Sequence, residues 1–393
     1  MPKRNDTLSA AKKNQNDEFY TQYEDIQKEM NAYLEYDFNT FRDKVVLCPC
    51  DDPEWSNFTK FFAQNFERLG LRKLICTSYA TDSKNKSMPE NYQFELSDFL
   101  TEFESNSSKY DESITSMRGK KFILDKDSNN DSVIDLDDLE WDYLEGDGDF
   151  RSEEVTSLRD EADIIITNPP FSLFREFLGW ILEGDNKKFM IIGNINCITY
   201  KEVFPLIQSN RAWLGNGMGR WISGFIVPDK YELYGTEARV ENGKRIVATN
   251  NCLWLTNIEH GRRHQPLQLM SQADNIKFNK KLINKLEKDF GCKDYPKYDN
   301  YDAIEVPYTD SIPGDYKGVM GVPITFLDKY CPEQYEIIWQ ASGNTRASTP
   351  AEILKSLSYV PHKNDRGGCG VVDGKRVYGR IFIRKIEGKK HGK

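Results

Sequence analysis

DIIITNPPF, Asp163 to Phe171, is the stretch on which the fold turns. Ile164, Ile165, Ile166 and Thr167 are β-branched residues in succession, the pattern of a short strand buried on both faces, as strands of parallel sheets are. Pro169 and Pro170 stop that strand, because proline has no N–H to offer a neighbour. SLFREFLGWILEG, from Ser172, then places apolar residues at helical spacing. In open α/β sheets, ligands bind just outside the carboxyl ends of the strands, which is where Asn168 stands.

The flanking sequence repeats the alternation. KVVLC (44–48) predicts a strand, DDPEWSNFTKFFAQNFERLG (51–70) a turn and an amphipathic helix closed by Gly70, and LRKLICTSY (71–79) a second strand. Strand, helix and strand this close form a βαβ unit and imply a parallel sheet. Downstream, KFMIIGNI (188–195) predicts another strand and YKEVFPLIQ (200–208) a helix. GRWISGFIVPD (219–229) and NNCLWLTNIE (250–259) predict an antiparallel pair, with an Asn-Gly hairpin signal in RVENGKRIVAT (239–249). Near the amino terminus, EFYTQYEDIQKEMNAYL (18–34) has helical spacing. The expected fold class is α/β, a Rossmann-like doubly wound sheet with a C-terminal hairpin, plus a smaller region of short elements. The expected boundaries are 1–265 for the first domain, with an irregular acidic insertion at about 85–144, and 266–393 for the second.

With 393 residues, 38% hydrophobic, the chain can bury a substantial core, and two domains are expected. No stretch approaches the roughly 20 apolar residues of a membrane span, and MPKRNDTLSAAKKNQ lacks the apolar core of a signal peptide, so no membrane partner and a cytoplasmic location are expected. Eight cysteines form no repeated CxxC pair and only four histidines are present, so neither a disulfide framework nor a metal site is expected. The net charge of −9 hides a strong asymmetry. Residues 91–163 hold 22 acids and 7 bases, whereas 341–393 hold 12 bases and 4 acids, so a polyanion would be met at the basic end.

The side-chain amide oxygen of Asn168 and a backbone carbonyl freed by the prolines place two acceptors near one point. Two acceptors suit an NH₂ group, and Phe171 offers a face for the flat ring that carries it. That arrangement suits methylation of an aromatic amine, whose nitrogen lone pair is otherwise delocalised into the ring. A base in duplex DNA would have to be flipped out to reach it.

At these residues the sequence also resembles the EcoRI-type adenine-specific DNA methyltransferase family. The resemblance runs through AKKNQNDEFYT, CDDPEWSNF, GDGDFRS, DIIITNPPFSLFREF, ITYKEVFPL and GVMGVPITFLDKY. It implies S-adenosylmethionine as cofactor, double-stranded DNA as partner, and transfer to N6 of a flipped adenine. Asn168, Pro169, Pro170 and Phe171 would be the catalytic loop. Phe19 and Thr21 would close over the methionine portion of the cofactor, and Asp149 with Phe150 would meet its adenine. The glycine-rich loop usual after the first strand is absent; Asp51 or Asp52 stands there, to accept from the cofactor's ammonium group or to cap the following helix. A cognate restriction endonuclease sharing the site is a further expectation, without a stable complex. RNA, a protein glutamine, or DNA binding without catalysis are the alternative readings.

Three weaker signals complete the reading. DKDSNNDSVIDLDD (125–138) approaches calcium-loop spacing but lacks the turn glycine and the closing glutamate, so a solvated loop is favoured. HGRRH (260–264) is a candidate phosphate contact. In the closing VVDGKRVYGRIFIRK (371–385), alternation puts Tyr378, Arg380, Phe382 and Arg384 on one face, and Arg380 and Arg384 are expected to contact DNA.

Overall fold

Four apolar runs become the parallel centre of one sheet: β2 (Val45–Cys48), β3 (Lys73–Ser78), β6 (Ile164–Thr167) and β7 (Lys188–Asn194). All four residues of β2 and of β6 are buried, as expected for strands covered on both faces. The computed structural model describes residues 20–51, 56–80, 110–216, 222–227, 233, 238–247, 251–342 and 345–386. Before β2 lie β1 (Tyr20–Thr21) and α1 (Tyr23–Tyr36); α2 (Asn57–Gln64) and the short α3 (Phe66–Leu69) join β2 to β3. Phe58, Phe61 and Phe62 of α2 are almost wholly buried, each stabilising the fold by roughly 1.5–3 kcal/mol.

The chain divides into two compact units, Met1–Ile195 with Gly215–Glu259, and Asn196–Leu214 with His260–Lys393. In the first, the sheet runs β5-β4-β3-β2-β6-β7-β12, where β4 is Lys120–Leu124, β5 is Glu140–Tyr143 and β12 is Cys252–Thr256. Pairing is parallel from β3 to β7 and antiparallel at both flanks. This is a mixed α/β sheet of the Rossmann-like kind. The helices α4 (Glu112–Met117), α5 (Glu153–Glu161) and α6 (Phe174–Glu183) complete the unit's connections.

Several expectations are corrected here. The acidic insertion is not wholly irregular: β4 and β5 within it extend the sheet, while 81–109 lie outside the described residues. The expected antiparallel pair does not form. β9 (Phe225–Val227) joins a second sheet, β1-β9-β11-β10, and β12 pairs with β7 instead. The Asn-Gly hairpin does form, between β10 (Arg239–Glu241) and β11 (Lys244–Val247).

The second unit begins with α7 (Phe204–Gln208) and the two-residue β8 (Trp213–Leu214), and resumes with α8 (Gln272–Phe278) and α9 (Lys280–Phe290). Its sheet holds β13 (Ile304–Glu305), β14 (Met320–Pro323) and β15 (Tyr335–Ala341), followed in the chain by α10 (Ala351–Ser356). The Asp-Gly turn closes only the short pair β16 (Val371–Val372) and β17 (Lys375–Arg376). The last strand, β18 (Arg380–Lys385), lies between β14 and β15 rather than in a closing hairpin.

Candidate active site

From β2 the chain crosses to β3 on one side, while β6 lies on the other, so strand order reverses between β2 and β6. A crevice outside two such carboxyl ends is the usual ligand site of an open α/β sheet. Thr167, at the end of β6 and fully buried, donates its hydroxyl to the Pro49 carbonyl at 2.8 Å, tying the loop after β6 to the loop after β2.

The loop after β2 is fixed by β3. Cys50 turns with a left-handed backbone (φ 65°) and its N–H reaches the Thr77 hydroxyl at 3.3 Å; the Asp51 N–H reaches the Thr77 carbonyl at 2.8 Å. Asp51 is 7% exposed and accepts from the Ser56 hydroxyl at 2.7 Å. Ser56, not Asp51, caps α2 by accepting from Phe58 N–H at 3.1 Å, which leaves the carboxylate to its other partners. Asp52 lies outside the described residues, as does Phe19.

Thr21 comes to the same place from the amino terminus. Asn57, at the start of α2, donates to the Thr21 carbonyl at 2.7 Å. The Thr21 hydroxyl is buried and finds no hydrogen-bond partner among the described residues, so it is a polar group to which a bound ligand could supply the missing bond. Thr21 also pairs with Phe225 of β9, and the Phe225 ring meets Phe171 edge to face, centroids 6.2 Å apart at 72°. Asn168 and Phe171 are half-buried, Pro169 is buried, and the Leu173 N–H bonds the Pro170 carbonyl at 3.0 Å to start the turn into α6. Thr21, Asp51, Asn57, Phe171 and the end of β6 are thus linked through short contacts.

GDGDFRS reaches the site along β3. The Ala80 N–H bonds the Asp147 carbonyl at 2.8 Å, and Gly148 (φ 89°) packs so closely that a Cβ there would collide with the Ser78 carbonyl. Asp149 accepts from the Tyr79 hydroxyl at 2.9 Å and from Arg151 at 2.6 Å. Burial pushes the Asp149 carboxyl up, but these bonds outweigh it and hold it below the usual range. Burial, with that same bond, pushes the Tyr79 hydroxyl well up, so it remains a donor. Phe150 corrects the expectation of a ring laid over an adenine: it is 2% exposed, packed edge to face on Phe177 at 5.0 Å and on Trp180 at 5.6 Å.

The weaker signals resolve into structural work. In 125–138, Asp127 accepts from the Asn130 and Ser132 N–H groups and Asp138 from Ser128, Asn129 and Asp135, and among the described residues no cluster could hold a metal ion. In the HGRRH turn, Arg262 pairs with Asp328 at 2.7 Å, Arg263 bonds Asn210 and lies over Trp213, and His264 meets Glu333 at 2.8 Å. Arg380 does not lie on an open basic face. It forks onto Glu305, itself fully buried, which also accepts from Tyr298, while Phe382 on the supposed outer face is 1% exposed. Arg384 is partly exposed and pairs with Glu336 at 3.1 Å. The alternation rule failed because β18 is an inner strand whose arginine is neutralised by a glutamate 75 positions away.

Sequence reasoning singled out neither Asn57, inside the quoted CDDPEWSNF, nor Phe225, which belongs to no motif; only pairing across the fold reveals them. Among described residues no helix is long and apolar enough to cross a membrane.

Comparison with known proteins gives a consistent picture. The family described as adenine-specific methyltransferase EcoRI matches residues 7–386. The type II methyltransferase M.EcoRI of Escherichia coli is 48% identical over 336 residues, 85% of this chain and 89% of that protein. The type II methyltransferase M.MpnI of Mycoplasma pneumoniae is 30% identical over 381 residues, 96% of this chain and 98% of that protein. No solved structure matches the chain significantly.

Proposed function

This chain belongs to the adenine-specific methyltransferase EcoRI family, and from that premise we propose how its site works and on what. The enzyme is a DNA adenine-N6 methyltransferase acting on a short duplex sequence from which the target adenine is flipped. The observation that carries the mechanism is the Thr167–Pro49 bond, which fixes the Asn168–Phe171 loop beside the Asp51 loop at the switch point of the sheet.

S-adenosylmethionine fits this chain: the buried Thr21 hydroxyl has no partner among the described residues, the nearly buried Asp51 carboxylate lies on the loop after β2, and the Asp149 carboxylate is kept ionised beside the end of β3. When bound, it would supply an electrophilic methyl group for the amine nitrogen. Asp51 and Thr21 would hold its methionine portion. Asp149 would accept from the amino group of the cofactor's adenine, while Phe150 supports the turn from within the core.

Asn168 and the Pro169 carbonyl accept the two N6 hydrogens of the target adenine, favouring a nitrogen whose lone pair points away from the ring plane. The N6 proton released on transfer passes to water. Phe171 stacks on the flipped base, contributing on the order of 1–3 kcal/mol. The second unit, with its basic carboxyl-terminal stretch, reads the duplex, phosphate contacts setting register and base edges giving sequence. A cognate endonuclease acts on the same sequence without a stable complex, and the enzyme works in the cytoplasm.

The test is methyl transfer from labelled S-adenosylmethionine to a panel of duplex DNA, RNA and protein. Label should enter DNA as N6-methyladenine, and Asn168→Ala should cut the rate by about 10²–10³ while cofactor affinity stays unchanged. Label in RNA or protein with none in DNA would contradict the reading.

A further inference from the structure

Asp25 is an acid that the proposed mechanism does not use. It lies in the first turn of α1 and is 1% exposed. A carboxylate so deeply buried is costly unless its oxygens are satisfied. One oxygen accepts both the N–H of Ser223, at 2.8 Å, and its hydroxyl, at 2.9 Å. The other is buried and finds no hydrogen-bond partner among the described residues.

Desolvation raises the Asp25 carboxyl above its ordinary range, and the two Ser223 bonds work against that rise. A surface helix has no need of such a group. Its first turn would be served as well by the neighbouring Glu24, which also favours a helix amino terminus.

What the acid reaches is the base of β9. Gln22 adds to the grip, donating to the Ser223 hydroxyl at 2.6 Å and to the Gly224 carbonyl at 3.1 Å. Gly224 has φ 135°, a conformation side chains rarely adopt, and the bonds from Gln22 and to Asp25 hold Ser223 and Gly224 in place before β9. The next residue is Phe225, fully buried, whose backbone pairs with Thr21 and whose ring backs Phe171. A displacement at Ser223 is therefore passed within two residues to both sides of the site.

We propose that Asp25 is a positioning residue for methyl transfer: through Ser223 it sets where Phe225 backs Phe171 and where β9 pairs with Thr21. The proposal rests on the reading of Phe171 as the face for the flipped base. Asp25 touches neither substrate nor cofactor. Its effect should therefore appear in turnover and base placement rather than in duplex affinity, since misplacing a reacting group by about 1 Å can cost on the order of 10²-fold.

The test compares D25A, D25N, S223A and F171A as full-length proteins. The substrate is a duplex in which 2-aminopurine replaces the target adenine of the sequence found modified in cells, with the unsubstituted duplex used for kinetics. D25A should lower kcat about 30-fold and reduce the 2-aminopurine signal, with duplex KM within about threefold. D25N keeps an oxygen acceptor toward Ser223 and should restore most of the activity. Should D25A fail to fold, S223A, which removes the hydroxyl that donates to Asp25 and accepts from Gln22 but keeps the Ser223 N–H bond to Asp25, should still lower kcat about threefold.

A folded D25A with wild-type kcat and fluorescence, alongside an impaired F171A, overturns the role of Asp25 alone. A folded D25A whose melting temperature falls while kcat and fluorescence hold also overturns it, since only stability has then moved. Loss in D25A with none in F171A overturns both the stacking assignment and the route through Phe171.

Discussion

Gly148 and Asp149 carry sharp consequences of the site at the residue scale. Gly148→Ala would set a methyl group against the Ser78 carbonyl at a backbone angle that already disfavours side chains, a strain of roughly 1–3 kcal/mol. The turn carrying Asp149 must then shift. Cofactor affinity measured by calorimetry should fall about tenfold or more, and an unchanged dissociation constant would separate this turn from the cofactor. Asp149 also gives a pH dependence with a definite sign. Its folded carboxyl is held below the usual range, so its contribution is present above the unfolded value and is lost as pH falls through the lower folded one. Cofactor affinity should show no loss from Asp149 between pH 5 and 8, and should weaken only below about pH 4. Asp149→Asn should abolish that acid limb, and a limb that persists would have another source. Of these residues, the sequence made Asp149 legible as a turn acid, but the tight contact of Gly148 with Ser78 depends on a strand 70 positions earlier and has no local signature.

Among the elements, the four parallel strands were legible because burial on both faces writes itself as an uninterrupted apolar run. The fates of β9 and β18 were not. β9 looks like a partner for β12 by composition, yet it pairs with β1, more than 200 residues away, because register is set by what the fold brings alongside. β18 alternates like an edge strand, yet it is an inner strand whose Arg380 is 15% exposed and forked onto Glu305. Removing one partner of a buried pair leaves an uncompensated charge. Arg380→Ala should therefore lower the stability of the second unit by about 3–5 kcal/mol in urea unfolding. The salt dependence of duplex affinity should keep its slope, whereas a slope reduced by about one unit would return Arg380 to the phosphate contacts.

Taken as a whole molecule, the chain keeps the chemistry proposed here in one unit. Residues 21–25, 49–51, 56–57, 77–80, 147–149, 167–171 and 223–225, far apart in sequence, are linked around the carboxyl ends of β2, β3 and β6, and all belong to the first unit. The second unit takes its residues from 196–214 and from 260 onward, whereas the expected division is a single boundary at 265/266; no composition change marks 196–214, since YKEVFPLIQ reads as one more helix of the alternating sheet. NPPF could be singled out because its location at a strand end and its chemistry agree; Thr21 could not be singled out from composition, because the role proposed for it depends on Asn57 and Phe225. The central claim is that Asn168, at the end of β6, orients the amine of an adenine in duplex DNA. The most direct measurement is modified-base sequencing of DNA from cells expressing this chain, beside cells expressing Asn168→Ala. The account predicts N6-methyladenine at one short sequence with the native chain and far less with the variant, in line with a rate lower by about 10²–10³. Equal methylation with both, or no new modified base with either, would contradict it.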